Sequence, residues 1–304
     1  MSGKSDYTKG IFSASLTAFL WGFLPIVLKV SVSMLSPLDV SWFRFALAFT
    51  SLVFFHLITK PASLRILIKP PPLMILAGIF LGFNYLGLIT GIHFTTPAIG
   101  EIFIQSGAVF LAVAGFFLFR EKTTLLQKAG LLIVVVGLGI FYREQLLVLA
   151  GHVTKYQKGV GLTLFAGFMW ASYAIIQKKL VVKFDPLTLN LVLFGVPSIG
   201  LIPFVDFSSF GTLPAEMWGV IIFLGLNTLI AYGALAFALK YLDANKVSVI
   251  VTLNPVITFT LLAILMELDV TWVVKEHFTL LTLTGASMVV AGAVLNILRL
   301  KNTR

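Results

Sequence analysis

Cysteine is missing from all 304 residues. That absence excludes disulfides, thiolate nucleophiles and cysteine-ligated metals, and it says little about compartment. Histidine occurs four times, and none pairs with a carboxylate at metal-ligand spacing, so no metal site and no cofactor are expected. Charge is scarce as well. Asp, Glu, Lys and Arg make up 11% of the chain, against about 25% in a soluble domain. Such a chain cannot cover a water-facing surface. No nucleophile–base–orienter set stands out, so an enzyme is not expected. Nor is a cleavable leader: the first apolar run is long enough to span, and no small-residue cleavage site follows it.

What is present is apolar. Hydrophobic residues are 59% of the chain, with a mean hydropathy of +1.02. The runs are continuous rather than alternating, which predicts membrane helices and not barrel strands. Ten spans are predicted, at 10–33, 37–59, 71–92, 95–118, 124–141, 158–180, 186–206, 216–239, 243–266 and 278–299. Pro37, Pro70, Pro71, Pro72 and Pro186 stand at helix starts, where a missing N–H is harmless. The net charge is +10. Its basic residues are scattered over short loops, which argues for cytoplasmic loops rather than nucleic acid. With both termini in the cytoplasm, sixteen of the 22 basic residues fall inside and five outside, with Arg44 within a span. The basic residues of the 142–157 connection lie outside in this arrangement.

The chain also repeats itself. Phe19, Trp21, Lys29 and Pro37 recur 149 positions later as Phe168, Trp170, Lys178 and Pro186. Ile79-Phe80-Leu81-Gly82 with Asn84 recurs as Ile222-Phe223-Leu224-Gly225 with Asn227, and Gly130 and Gly137 as Gly285 and Gly292. Residues 1–149 and 150–304 thus form two five-span halves. An odd number of crossings inverts the second half, the build of many secondary transporters. The expected fold is an all-α integral membrane protein of ten transmembrane helices in two inverted five-helix repeats.

These matched elements, with Trp42-Phe43-Arg44-Phe45, Arg120-Glu121, Tyr241-Leu242-Asp243-Ala244 and Asn254-Pro255-Val256, resemble the drug/metabolite transporter superfamily, and its EamA family in particular. The resemblance covers nearly the whole chain. It implies export or exchange of small metabolites, often amino acids, without ATP. It also implies a central cavity walled by spans 1, 3, 4, 6, 8 and 9, with spans 5 and 10 outside. Arg44 breaks the repeat, because Leu193 holds the equivalent place.

Polar groups in lipid are costly and so face other helices or water. Glu101 and Gln105 share a face of span 4, continued by Ala108 and Ala112. Glu101 is the one carboxylate well inside a span. It suits a proton carrier or a cation anchor, and a structural pairing with Arg44 or His93 is the alternative. Trp21 on span 1, with Trp170 and Tyr173 on span 6, form aromatic faces; the two tryptophans are expected across the cavity from each other. Asn84 and Asn227 form the repeat pair on spans 3 and 8, with Tyr232 about one turn further on. Asn254 lies beside Pro255, whose kink would border the site, as Pro25 would on span 1. His93 is a candidate gate at the outer end of span 3. His56, His152 and His277 are read as peripheral.

The expected function is secondary active transport of a small organic metabolite across the inner membrane by alternating access. Amino-acid export leads, with protons as a candidate coupling ion, a monomer or dimer as the assembly, and the bilayer as its surroundings. Import or exchange of a nucleobase, cofactor or sugar stays open, as does a non-transporting sensor or assembly role.

Overall fold

The computed structural model describes residues 4–120, 124–148, 155–270 and 279–298. Glu121, His152, His277 and the connection after residue 270 lie outside them. The first half contains α1 (Lys4–Ser31), α2 (Pro37–Thr59), α3 (Pro72–Phe94), α4 (Pro97–Phe117) and α5 (Leu125–Val148). The second contains α6 (Lys155–Leu180), α7 (Pro186–Gly200), the single turn α8 (Ser208–Gly211), α9 (Ala215–Tyr241), α10 (Ala244–Val251), α11 (Asn254–Glu267) and α12 (Leu280–Leu298). No strand occurs among the described residues. Among the described residues, eight segments are long and apolar enough to cross a membrane, α10 and α11 counting as one; Leu125–Ile140 is a shorter apolar stretch.

Local chemistry sets the boundaries. Ser36, Thr96 and Asp185 precede helix-starting prolines, and each side chain accepts from a first-turn N–H. Pro203 disfavours helix at the residue before it. The seventh span therefore ends as α7 at Gly200 with a 3₁₀ turn at Ile202–Phe204, short of the expected 206. Residues 142–148, expected as a connection, instead continue α5. They read YREQLLV, rich in strong helix formers and free of glycine and proline. The ninth span is broken. Pro255 cannot donate to a carbonyl four residues back, and the chain turns through Thr252 and Leu253 before α11 begins. Pro25, in contrast, sits within an unbroken α1.

The packing is unchanged by exchange of the halves. α1 lies on α9 as α6 lies on α3, and α2 lies on α9 as α7 lies on α3. α4 meets α10, α2 meets α7, and α5 meets α12. The α5–α12 seam is a backbone contact. A Cβ on Gly292 would stand 2.5 Å from the Gly130 carbonyl oxygen, and one on Gly137 would stand 2.8 Å from that of Gly285. Neither carbonyl can swing aside. Gly292→Ala is therefore expected to destabilise the seam by about 1–3 kcal/mol, read as a lowered Tm in detergent; an unchanged Tm would mean that the seam is loose. Large apolar side chains such as Phe12, Phe54 and Phe117 stay exposed on the outer face, as lipid contact requires.

Candidate central cavity

A narrow cavity lies at the centre of the bundle. Its wall combines Trp21, Leu24 and Pro25 of α1, Asn84 and Leu88 of α3, Glu101, Ile104, Gln105 and Ala108 of α4, Trp170 of α6, Tyr232 of α9, Val251 of α10 and Asn254 of α11. The volume open to the centres of water-sized spheres is about 50 Å³. One water needs roughly 10–15 Å³ on this measure, so the cavity holds a few waters, and a metabolite would enter only if helices part.

Two hydrogen-bonded polar clusters face this space. In the first, the Gln105 side-chain amide donates to Glu101 Oε1 and to Asn254 Oδ1, each at 2.7 Å. Gln105 and Asn254 meet where α4 passes the break in the ninth span. The surrounding helices are tied by backbone. Ser248 donates to the Ala108 carbonyl, and Thr258 donates to that of Gly22 at 2.7 Å. In the second cluster Tyr232 Oη donates to Asn84 Oδ1 at 3.4 Å, while Asn84 Nδ2 donates to the Ala166 carbonyl at 2.9 Å. Behind it Tyr85 Oη donates to Thr228 Oγ1 at 3.1 Å, and Arg44 Nε donates to the same hydroxyl at 3.0 Å.

The aromatic wall differs from expectation. Trp21 and Trp170 do not face each other across a gap; they touch edge to face at 5.8 Å between centroids. Trp21 also leans on Tyr232 at 5.1 Å. Neither indole N–H has an acceptor among the described residues. Small residues seat α4 against α6 and the Trp170 ring: a Cβ on Gly107 would stand 2.6 Å from the Gly167 carbonyl and 3.0 Å from that ring.

Seven of the nine expected contact residues are on this wall: Trp21, Asn84, Glu101, Gln105, Trp170, Tyr232 and Asn254. Tyr173 and Asn227 are not. Tyr173 is fully buried with its ring 5.8 Å from that of Tyr232. Asn227 donates to the Leu20 carbonyl at 2.8 Å, tying α9 to α1. Glu101 has neither Arg44 nor His93 as an ion-pair partner; the ion pairs among the described residues are Lys9–Asp6 and Lys246–Asp243. His93 is exposed beside the Phe94 ring. His56, read as peripheral, is fully buried. It bonds the Leu52 carbonyl at 2.9 Å and Thr188 Oγ1 at 3.3 Å, because its helix face packs on α7 rather than on lipid.

Two lysines act in a way the sequence reading did not assign. Lys29 Nζ donates to the carbonyls of Ile92 (3.0 Å), His93 (3.2 Å) and Thr95 (2.6 Å). Its repeat partner Lys178 donates to the carbonyls of Leu239 (2.8 Å) and Leu242. Each ammonium thus caps a carbonyl end in its own half, Lys29 that of α3 and Lys178 that of α9, where carbonyls lack helical partners. The signal was present in the sequence: a lysine held at one offset in both halves. Thr228, which holds Arg44, carried no such signal.

Comparison with known proteins agrees with this architecture. The EamA-like transporter family matches residues 8–143 and again residues 157–298. The chain is 30% identical over 294 residues to an uncharacterized transporter of Haemophilus influenzae, covering 96% of each. It is 31% identical over 288 residues to the uncharacterized inner membrane transporter YhbE of Escherichia coli K12, covering 94% of this chain and 90% of that one. A probable amino-acid metabolite efflux pump of Salmonella typhimurium is 26% identical over 301 residues, covering 94% of each. A solved crystal structure superposes with a TM-score of 0.71 over 99% of this chain and 100% of that one, at 16% identity, a likeness of fold. By the family match over both halves, this multi-pass membrane chain belongs to the EamA-like transporter family.

Proposed function

We propose that the protein is a secondary active transporter of the inner membrane that exports amino acids by alternating access. Its ten spans form two inverted repeats, residues 1–149 and 150–304, with both termini in the cytoplasm. The repeats rock about the central cavity. Substrate meets Trp21, Asn84, Glu101, Gln105, Trp170, Tyr232 and Asn254; Tyr173 and Asn227 support these from behind. The observation that carries the reading is the pair of polar clusters and the aromatic contact gathered around one narrow, otherwise apolar cavity between the halves. Helix pairing that survives exchange of the halves supports the rocking. The names of relatives as amino-acid metabolite efflux pumps support the substrate class.

Glu101 supplies the coupling. A proton and a substrate ammonium group compete for its carboxylate. Release of one makes room for the other, which is the logic of an antiporter. Pro255 and the break beside it give the ninth span its bend.

The first test is a thermal-shift screen of the purified protein in detergent against amino acids, nucleobases, sugars and polyamines. A ligand that binds only the folded state adds about 2.7 kcal/mol of stability at a hundredfold excess over Kd. Apolar amino acids are expected to raise Tm in the wild type and not in Gln105→Ala. A shift with nucleobases or sugars alone would move the assignment to those substrates. No shift with any of them, joined to no flux in liposomes, would favour a sensor.

A further inference from the structure

Arg44 lies within the second span, on α2, and it is 1% exposed. A guanidinium stays ionised in proteins. Its partners are all neutral: Thr228 Oγ1 at 3.0 Å, Tyr85 Oη at 3.4 Å, and the Tyr85 ring, whose centroid lies 4.3 Å from Cζ. No carboxylate lies within ion-pair distance of it among the described residues. The charge is held in place by hydroxyls and a π face, yet it is not neutralised. Glu101 is the mirror case. It is 2% exposed, accepts from the neutral Gln105 amide, and has no cation within ion-pair distance among the described residues.

The guanidinium and the carboxyl group belong to different clusters around one cavity. Glu101 is itself on the wall. Arg44 is one layer behind it: its partner Tyr85 lies 5.7 Å, ring to ring, from Tyr232, and Tyr232 and Asn84 complete the wall there. The repeat does not duplicate either charge. Leu193 stands at the offset equivalent to Arg44, and α10, which follows its cap Asp243 as α4 follows Thr96, carries no acidic residue. The field across the cavity therefore has a direction that exchange of the halves does not cancel.

We propose that Arg44 and Glu101 together make the cavity selective for a zwitterion, Arg44 acting through its field on the substrate carboxylate and Glu101 binding the ammonium group. The proposal rests on the transport reading and deepens it. In a low-dielectric core an uncompensated charge acts over several ångströms with little screening. A cation without a carboxylate is repelled by Arg44, and an anion without an amine is repelled by Glu101. A zwitterion satisfies both, and the fixed direction of the field admits it in one orientation. The Trp21 and Trp170 N–H groups add two donors with no acceptor of their own among the described residues, and Leu24, Leu88 and Ile104 offer an apolar wall to a side chain. Arg44 is thus a specificity-determining residue that acts through its field rather than by touching substrate.

The test uses the full chain in detergent and three probes that share one side chain: phenylalanine, 2-phenylethylamine and 3-phenylpropanoate. Affinities come from concentration-dependent thermal shifts. The wild type is expected to bind phenylalanine at least about tenfold more tightly than either analogue. Arg44→Gln should lose about tenfold for phenylalanine and close its gap to the amine, while Arg44→Lys keeps the preference because it keeps the charge. Glu101→Gln should close the gap to the acid; if Arg44→Gln fails to fold, Arg44→Lys tests the Arg44 role, and loss of the preference over the amine in that variant overturns it. Equal weakening of all three probes in Arg44→Gln would show a structural residue and overturn the proposal. Wild type that binds the amine as well as the amino acid would overturn it too, with the transport reading left standing. Wild type that binds none of the three would overturn the apolar amino-acid reading on which the proposal rests.

Discussion

Glu101→Gln is expected to abolish accumulation driven by a proton gradient and to leave counterflow of saturating amino acid in place. The substitution keeps the size of the side chain and its place beside Gln105 and Asn254, so the cavity keeps its shape. What it removes is the capacity to take up and release a proton. In the proposed cycle the empty carrier returns only with a proton on Glu101, whereas exchange of one substrate for another needs no empty return. Proteoliposomes with an imposed pH gradient measure the first process, and preloaded proteoliposomes without one measure the second. Accumulation falling to the level of empty vesicles, with counterflow within about twofold of wild type, is the expected pair. The coupling role fails if both processes survive. If both are lost, Glu101 holds the cavity together rather than coupling it.

Lys29→Ala and Lys178→Ala are expected to push the protein in opposite directions. Each ammonium ties a helix end to the first helix of its half, α3 to α1 through Lys29 and α9 to α6 through Lys178. The short links beyond those ends lead into α4 and α10, which flank Glu101, Gln105 and Asn254. In the proposed topology Lys29 lies at the outer face and Lys178 at the inner face. A hydrogen bond from a charged group contributes about 1.5–3 kcal/mol, so loss of one latch shifts an open–closed equilibrium by at least about tenfold. The lack of cysteine makes this measurable without background. Ala108→Cys places a single thiol on the cavity wall. A membrane-impermeant maleimide should label it faster from outside in Lys29→Ala, and faster from inside in Lys178→Ala. Shifts in the same direction would reduce the two lysines to ordinary helix caps.

The spans were legible because lipid demands long apolar runs and because proline marks their starts. Pro37, Pro97 and Pro186 each stand at a helix start with a capping side chain before them. Much of the cavity was legible for a related reason: Glu101, Gln105 and Asn254 are polar where lipid excludes polarity. Helix rotation was not legible. In water one face of a helix is polar and names itself. Here the lipid face and the core face are both apolar, so nothing in the sequence said that Asn227 meets Leu20 or that His56 meets Thr188 rather than solvent. The two tryptophans stand at one offset in the two halves, and the sequence reads them as a pair. Their direct contact joins side chains of α1 and α6, and it depends on how both helices are rotated, which nothing in the residues beside either tryptophan announces.

The interrupted ninth span makes the two halves mechanically unlike. α4 runs from Pro97 to Phe117 without a break, while its counterpart is two short rods joined at Thr252 and Leu253. A continuous rod transmits a push from end to end; a jointed one can bend at the joint and leave its far end where it was. In the proposed cycle, opening on the side served by α4 would therefore swing a whole helix, and opening on the side served by α10 and α11 would need only flex one. Two repeats of common design would then present unequal elastic resistance, and the resting side of the proposed carrier would follow from the stiffness of its backbone as well as from what it binds.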